Sequence, residues 1–248
     1  MNTIYILWLR QIKRYWRSKS RLIGSLGQPL IYLLGFGLGM RGIYTQATGG
    51  DYISFLVPGI ISQAIMGLAI FSGFELILDK QFGFLKETLV APVSRFKIIL
   101  GRTLGGATIA TLQGLIVLVL SYLLGFRLSS FFTLPLVILV MFLIALLYTA
   151  LGTAIASKMR DFHGFQLVMT YLVLPSFFFS GAIAPLASAP STVQNIARYN
   201  PLTYGVDALR EILTHTTYLG LSSDILTLTI ITAILLMIAS HLFSKIEA

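Results

Sequence analysis

The side chains able to do acid–base or metal chemistry are few: nine Asp and Glu, three His and no Cys in 248 residues. His163, His215 and His241 lie far apart and form no helical pair of metal ligands, so no metal site is expected. There is no Gly-x-x-x-x-Gly-Lys-Ser/Thr phosphate loop, no Gly-x-Ser-x-Gly elbow and no His-Glu-x-x-His helix. We therefore expect no catalytic residue and no bound cofactor in this chain. Glu75 and Asp79 stand four apart, on one face of a helix. A proton-coupling pair is one reading of them. The favoured reading is a water-wet extension of a helix, with Lys80 beside it, because the pair falls at the edge of an apolar run.

The elements that position these groups follow from composition. Apolar residues make up 56% of the chain and charged ones only 11%, against about 25% charged in a soluble domain. That excludes a single water-soluble core, and it excludes disorder. Runs without Asp, Glu, Lys or Arg cover 22–40, 52–74, 103–126, 128–157, 162–197 and 225–244. Each is long enough for the roughly 20 helical residues that cross a bilayer. The expected fold is an all-α polytopic membrane protein with six spans, near 22–40, 53–74, 103–125, 134–156, 164–182 and 225–244. Pro175, Gly181, Pro185 and Pro190 interrupt the fifth run. Beyond about residue 182 it is expected to form short helices or re-entrant backbone covered by protein.

The net charge of +9 would suggest nucleic acid in a soluble protein, but in a bilayer basic residues hold loops on the cytoplasmic side. With the N-terminus inside, fourteen of the eighteen Lys and Arg lie in cytoplasmic pieces. Arg41, Arg127, Arg198 and Arg210 remain outside. Both termini are thus expected in the cytoplasm, with no nucleic-acid partner and no cleavable signal peptide. Residues 1–21 form an amphipathic helix: Arg10, Lys13, Arg14, Arg17 and Arg21 share one sector, opposite Ile4, Trp8, Ile12 and Tyr15. Such a helix lies in the membrane interface, its cations toward anionic lipid or a partner. Small residues four apart (Gly35 and Gly39, Gly101 and Gly105, Gly152 and Ala156) suit close helix contacts.

The connection between spans two and three is the most informative segment. It reads Phe82-Gly83-Phe84-Leu85-Lys86-Glu87-Thr88-Leu89-Val90-Ala91-Pro92-Val93-Ser94-Arg95. Phe84, Leu85, Thr88 and Leu89 fit one face of a short helix. Pro92 ends it, and Ser94 can cap the next. With Ile99-Leu100-Gly101-Arg102 following, the segment resembles the signature of type-2 ATP-binding-cassette (ABC) exporter permeases of the daunorubicin-resistance kind. Leu56-Val57-Pro58-Gly59, Phe179-Ser180-Gly181 before Pro185-Leu186, Asn200-Pro201-Leu202-Thr203-Tyr204 and Ala208-Leu209-Arg210 agree in order along the chain. Gln81 departs from the acidic residue that the family often carries.

The resemblance implies a permease half of the plasma membrane, paired with a second copy or a paralogue. Separate nucleotide-binding subunits would hold ATP and Mg. Gly83, Phe84, Leu85, Lys86, Glu87, Leu89, Pro92 and Arg95 would form the coupling helix that docks on the ATPase. Beside it the basic helix would present Arg10, Lys13, Arg14, Trp16 and Arg17 to membrane or ATPase. The implied activity is efflux of a lipophilic drug, lipid or similar amphiphile. A glycan or glycolipid exporter of the same fold is the near alternative, and an ion- or proton-coupled transporter the distant one. Phe177, Phe178 and Phe179 have the chemistry to touch an amphiphile on its route, beside the plainer reading of packing or a lipid-facing belt. Asn200 with Pro201 starts a helix whose apolar stripe is Leu202, Val206, Leu209 and Leu213.

Overall fold

The structure is a computed structural model that describes residues 3–84, 93–128, 130–159 and 161–246. Among these residues it is built of helices and turns, with no strand. Helix α1 (Thr3–Arg17) breaks at Ser18 and gives way to α2 (Lys19–Gly39) and α3 (Arg41–Thr48). Next come α4 (Tyr52–Gln81), α5 (Arg95–Leu123), α6 (Leu134–Lys158) and α7 (Phe162–Phe178). Two short helices, α8 (Ser191–Arg198) and α9 (Pro201–Thr214), precede the last long one, α10 (Leu221–Ser244).

Five of these are long and apolar enough to cross a membrane: α2, α4, α5, α6 with the short turn Phe131–Thr133 before it, and α10. The expected fifth span is the shorter α7, of 17 residues, which at 1.5 Å per residue extends roughly 25 Å. It ends at Phe178, ahead of residue 182. There Ser180 Oγ turns back to donate to the Phe177 carbonyl at 2.7 Å, and Gly181 takes a φ of +77° that favours glycine.

Helix α4 occupies the centre because it is apolar all round, and such a helix is stable only when surrounded. It packs on α6, α5, α9 and α2. Gly73 faces Gly152 so closely that a Cβ on either would run into backbone of the other helix. Gly59 meets the turn after α7 in the same way: a Cβ there would lie 2.6 Å from the Ala182 carbonyl oxygen. That turn is thereby covered by protein. Its carbonyls are also satisfied: Tyr52 Oη donates to Ile183 O at 3.0 Å and Arg210 Nη2 to Gly181 O at 2.9 Å.

Helix α9 follows its sequence signals. Asn200 Oδ1 accepts from the Leu202 N–H at 3.1 Å, and Asn200 Nδ2 donates to the Ser176 carbonyl at 2.7 Å. Leu202, Val206, Leu209 and Leu213 are all buried. Asp207 accepts from the Tyr218 and Leu219 amides at 2.9 and 2.6 Å, fixing the approach to α10. Burial pushes the Arg210 guanidinium down to about 10, against the opposing pull of Asp207, so it stays charged at neutral pH. By contrast, α2 and α10 leave apolar side chains such as Ile23, Ile31, Leu38, Leu226 and Met237 exposed. Surfaces of that kind call for lipid or another chain.

Candidate functional site

Four arginines converge on two carboxylates at the α1 end of the bundle. Glu75 and Asp79, one turn apart on α4, are both buried. Asp79 accepts from Arg102 Nη1 at 2.6 Å and lies 3.4 Å from Arg14 Nη1 and 3.6 Å from Arg10 Nη2. Glu75 pairs with Arg21, and its other oxygen is 3.9 Å from Arg14. This corrects the expectation of a water-wet helix extension: the pair is the anionic hub joining α1, α2, α4 and α5. Lys80 turns from it to donate to the carbonyls of Ala156, Ser157 and Met159 at 2.8, 2.9 and 3.2 Å, an arrangement suited to the orphan acceptors of a helix C-terminus.

The hub forms because α1 lies directly on α5. Gly101 and Gly105 allow this: a Cβ at Gly101 would sit 2.9 Å from the Ile4 carbonyl, and one at Gly105 2.7 Å from Gln11 Cβ. Leu7, Gln11 and Tyr15 form the buried stripe of α1. Trp8 Nε1 donates to Thr108 Oγ1 at 3.0 Å and Tyr15 Oη to Gln113 Oε1 at 3.3 Å. Gln113 also takes the Ser25 hydroxyl at 3.1 Å and gives its amide to the Ser25 carbonyl at 2.9 Å, so one side chain ties α1, α2 and α5 together. Gly152 and Ala156 are packed as their spacing suggests, whereas Gly35 and Gly39 have nothing within 4 Å of a Cβ and face outward.

The basic helix is thus divided in its duties. Arg10 and Arg14 turn to the hub, while Lys13, Trp16 and Arg17 are exposed and make no ion pair among the described residues. Of the residues expected to couple to an ATPase, Gly83, Phe84 and Arg95 are described; Leu85, Lys86, Glu87, Leu89 and Pro92 lie outside the described residues. Gly83 has a φ of +80° just after α4. Phe84, 51% exposed, lines a cleft of about 180 Å³ with Phe82, Leu78, Asp79, Arg10 and Arg14. The start of the link therefore abuts both α1 and the hub. Ser94 occupies the cap position of α5, but its side chain makes no capping bond; its carbonyl accepts from Lys97 at 3.0 Å instead.

A larger cavity, of about 500 Å³, lies between α2, α4 and α7. Pro29, Leu68, Phe71, Met169, Val173 and Leu174 give it apolar walls. Ser25, Gln28, Gln63 and Thr170 add neutral polar groups, and Arg21 adds a charged one. Phe177, Phe178 and Phe179 are absent from this wall. Phe177 is buried, stacked on Tyr32 at 5.4 Å; Phe178 is exposed and Phe179 caps α7. The polar residues inside otherwise apolar runs (Ser25, Gln28 and Gln63) were the available signal for this part of the site. Arginines at 10, 14 and 21 against acids at 75 and 79 were the signal for the hub.

Comparison with known sequences identifies the family. Residues 2–214 match the family described as ABC-2 type transporter. The chain is 31% identical to the transport permease ycf38 of Porphyra purpurea over 215 residues, covering 84% of this chain and 72% of the relative. It is 28% identical to nodulation protein J of Rhizobium leguminosarum bv. trifolii, covering 84% and 78%. Against the inner membrane transport permease YadH of Escherichia coli the identity is 25%, covering 82% and 80%.

Proposed function

We propose, from the premise that this chain belongs to the ABC-2 type transporter family and is a transport permease, that it moves an amphiphile out of the cell with ATP hydrolysed by separate subunits. The observation that carries this reading is the cavity between α2, α4 and α7. It is partly open, apolar on its walls and of a size that suits a lipid-like or drug-sized molecule.

The chain's own residues would do three things. The α4–α5 link, Gly83 to Arg95, would receive the motion of an ATPase whose subunits hold ATP and Mg. The arginine–carboxylate hub would carry that motion into α4, because Asp79 ties the end of α4 to α1 and α5. The cavity walls would take the cargo and release it when α2 and α7 rearrange against α4. Only contacts that differ between the two states can drive such a cycle. In this reading two permease chains pair, the basic ends and both termini face the cytoplasm, and the assembly sits in the cell membrane.

A glycolipid cargo is the second reading, favoured by the Ser25, Gln28, Gln63 and Thr170 side chains on the cavity wall and by the similarity to nodulation protein J. Proton coupling through Glu75 and Asp79 is disfavoured, since both are engaged by arginines. Purification from native membranes tests the proposal. A nucleotide-hydrolysing subunit should accompany the chain, and uptake into inverted vesicles should need ATP. Transport that instead follows an ion gradient without ATP would refute it.

A further inference from the structure

Resting on that reading, we infer that the cargo carries an anionic headgroup, recognised by Arg21 on the wall of the cavity. Among the described residues, Arg21 is the one charged side chain on the cavity wall. Among the described residues its side-chain hydrogen bond uses Nη1, toward Glu75, which leaves Nε and Nη2 for a second acceptor. The guanidinium lies 6.0 Å from the Phe71 ring centroid, and Phe71 is also a wall residue. A fork of donors beside apolar walls suits a phosphate, sulfate or carboxylate joined to an alkyl tail.

Charge in the neighbourhood points the same way. Four guanidinium groups (Arg10, Arg14, Arg21 and Arg102) share two carboxylates. The hub therefore keeps a surplus of two positive charges, and Arg21 brings part of it to the cavity wall, where a further anion is favoured and a cation repelled. Glu75 is the built-in competitor: its carboxylate neutralises part of the Arg21 charge from Nη1 while an anion would take Nε and Nη2. Gln28, whose amide gives one hydrogen to Tyr32 Oη, keeps a second to donate to a further headgroup oxygen.

Because the chain has no cysteine, a single Tyr171→Cys variant takes a bimane label beside the cavity at a 77% exposed position. The labelled permease, without any ATPase, is titrated in zwitterionic nanodiscs with dodecyl phosphate, dodecyl maltoside and dodecyltrimethylammonium. Dodecyl phosphate should bind most tightly. Arg21→Gln should weaken it roughly tenfold or more while leaving the maltoside unchanged. Glu75→Gln, which removes the competitor, should strengthen it. Opposite signs from the two variants would not arise from a merely structural role. Equal binding of all three headgroups, or an Arg21→Gln variant that keeps the preference, would overturn the inference. Inorganic phosphate displacing the probe at similar concentration would overturn the amphiphile class. Since no ATPase enters the assay, these results leave the transport reading to its own test.

Discussion

Replacing Asp79 by Asn should be among the most destabilising polar changes in the bundle. The residue faces Arg102 at 2.6 Å, with side chains 4% and 6% exposed. Removing one partner of a buried pair costs about 3–5 kcal/mol, because the other charge stays buried without compensation. Arg10 and Arg14 are 41% and 35% exposed, at 3.6 and 3.4 Å; water screens them, so each adds no more than about 1 kcal/mol. For a chain of this size 1 kcal/mol is about 2–4 °C of melting temperature. Asp79→Asn should thus lower the midpoint of thermal unfolding in detergent by roughly 6–20 °C. Arg41→Gln is the internal control. It breaks a pair at 3.8 Å whose members are 60% and 42% exposed, so it should cost less than about 1 kcal/mol. The double variant Asp79→Asn with Arg102→Gln should recover most of the loss, which a double-mutant cycle reads as coupling. A loss no larger than that of Arg41→Gln, or a double variant as unstable as the two singles combined, would refute the buried-hub reasoning.

Other outcomes follow from the same contacts. Gly73→Ala should cost about 1–3 kcal/mol or more, since the methyl meets Gly152 backbone that cannot turn aside. Gly35→Ala should be neutral or slightly stabilising, and the unfolding midpoints of the pair separate the two cases. Replacing Phe84 or Glu87 by Ala should reduce transport and the stimulation of ATP hydrolysis while circular dichroism stays helical; unchanged transport in both would remove the coupling role of the link. Lys13→Gln with Arg17→Gln should reduce co-purification of anionic lipid or of the ATPase without shifting the melting midpoint, because neither residue enters the hub. Unaltered association would count against an interface role for that face.

The spans were legible because lipid leaves few options: a run of apolar residues without charge must be helical, and α2, α4, α5, α6 and α10 fall where such runs lie. Asn200-Pro201 was legible because a cap and a first-turn proline act locally. Ser94 had the right residue type, yet its backbone alone meets the start of α5. The hub was hidden for a different reason. Arg21 and Arg102 belong to different helices from Glu75 and Asp79, and only the packing of α1 on Gly101 and Gly105 brings the four segments together. Glycine spacing by itself did not say which pairs touch: Gly101 and Gly105 do, while Gly35 and Gly39 present the same spacing to the outside. The cavity was likewise invisible as a run, since its polar side chains come from three helices.

The most direct test of the account places a photo-crosslinking amino acid at position 84 in the intact native assembly and asks what it captures, and from which side of the membrane. The account predicts a crosslink to a cytoplasmic nucleotide-hydrolysing subunit, strengthened or weakened by ATP. A position 84 that is labelled from outside the cell, or that captures no such subunit while transport continues, would contradict it.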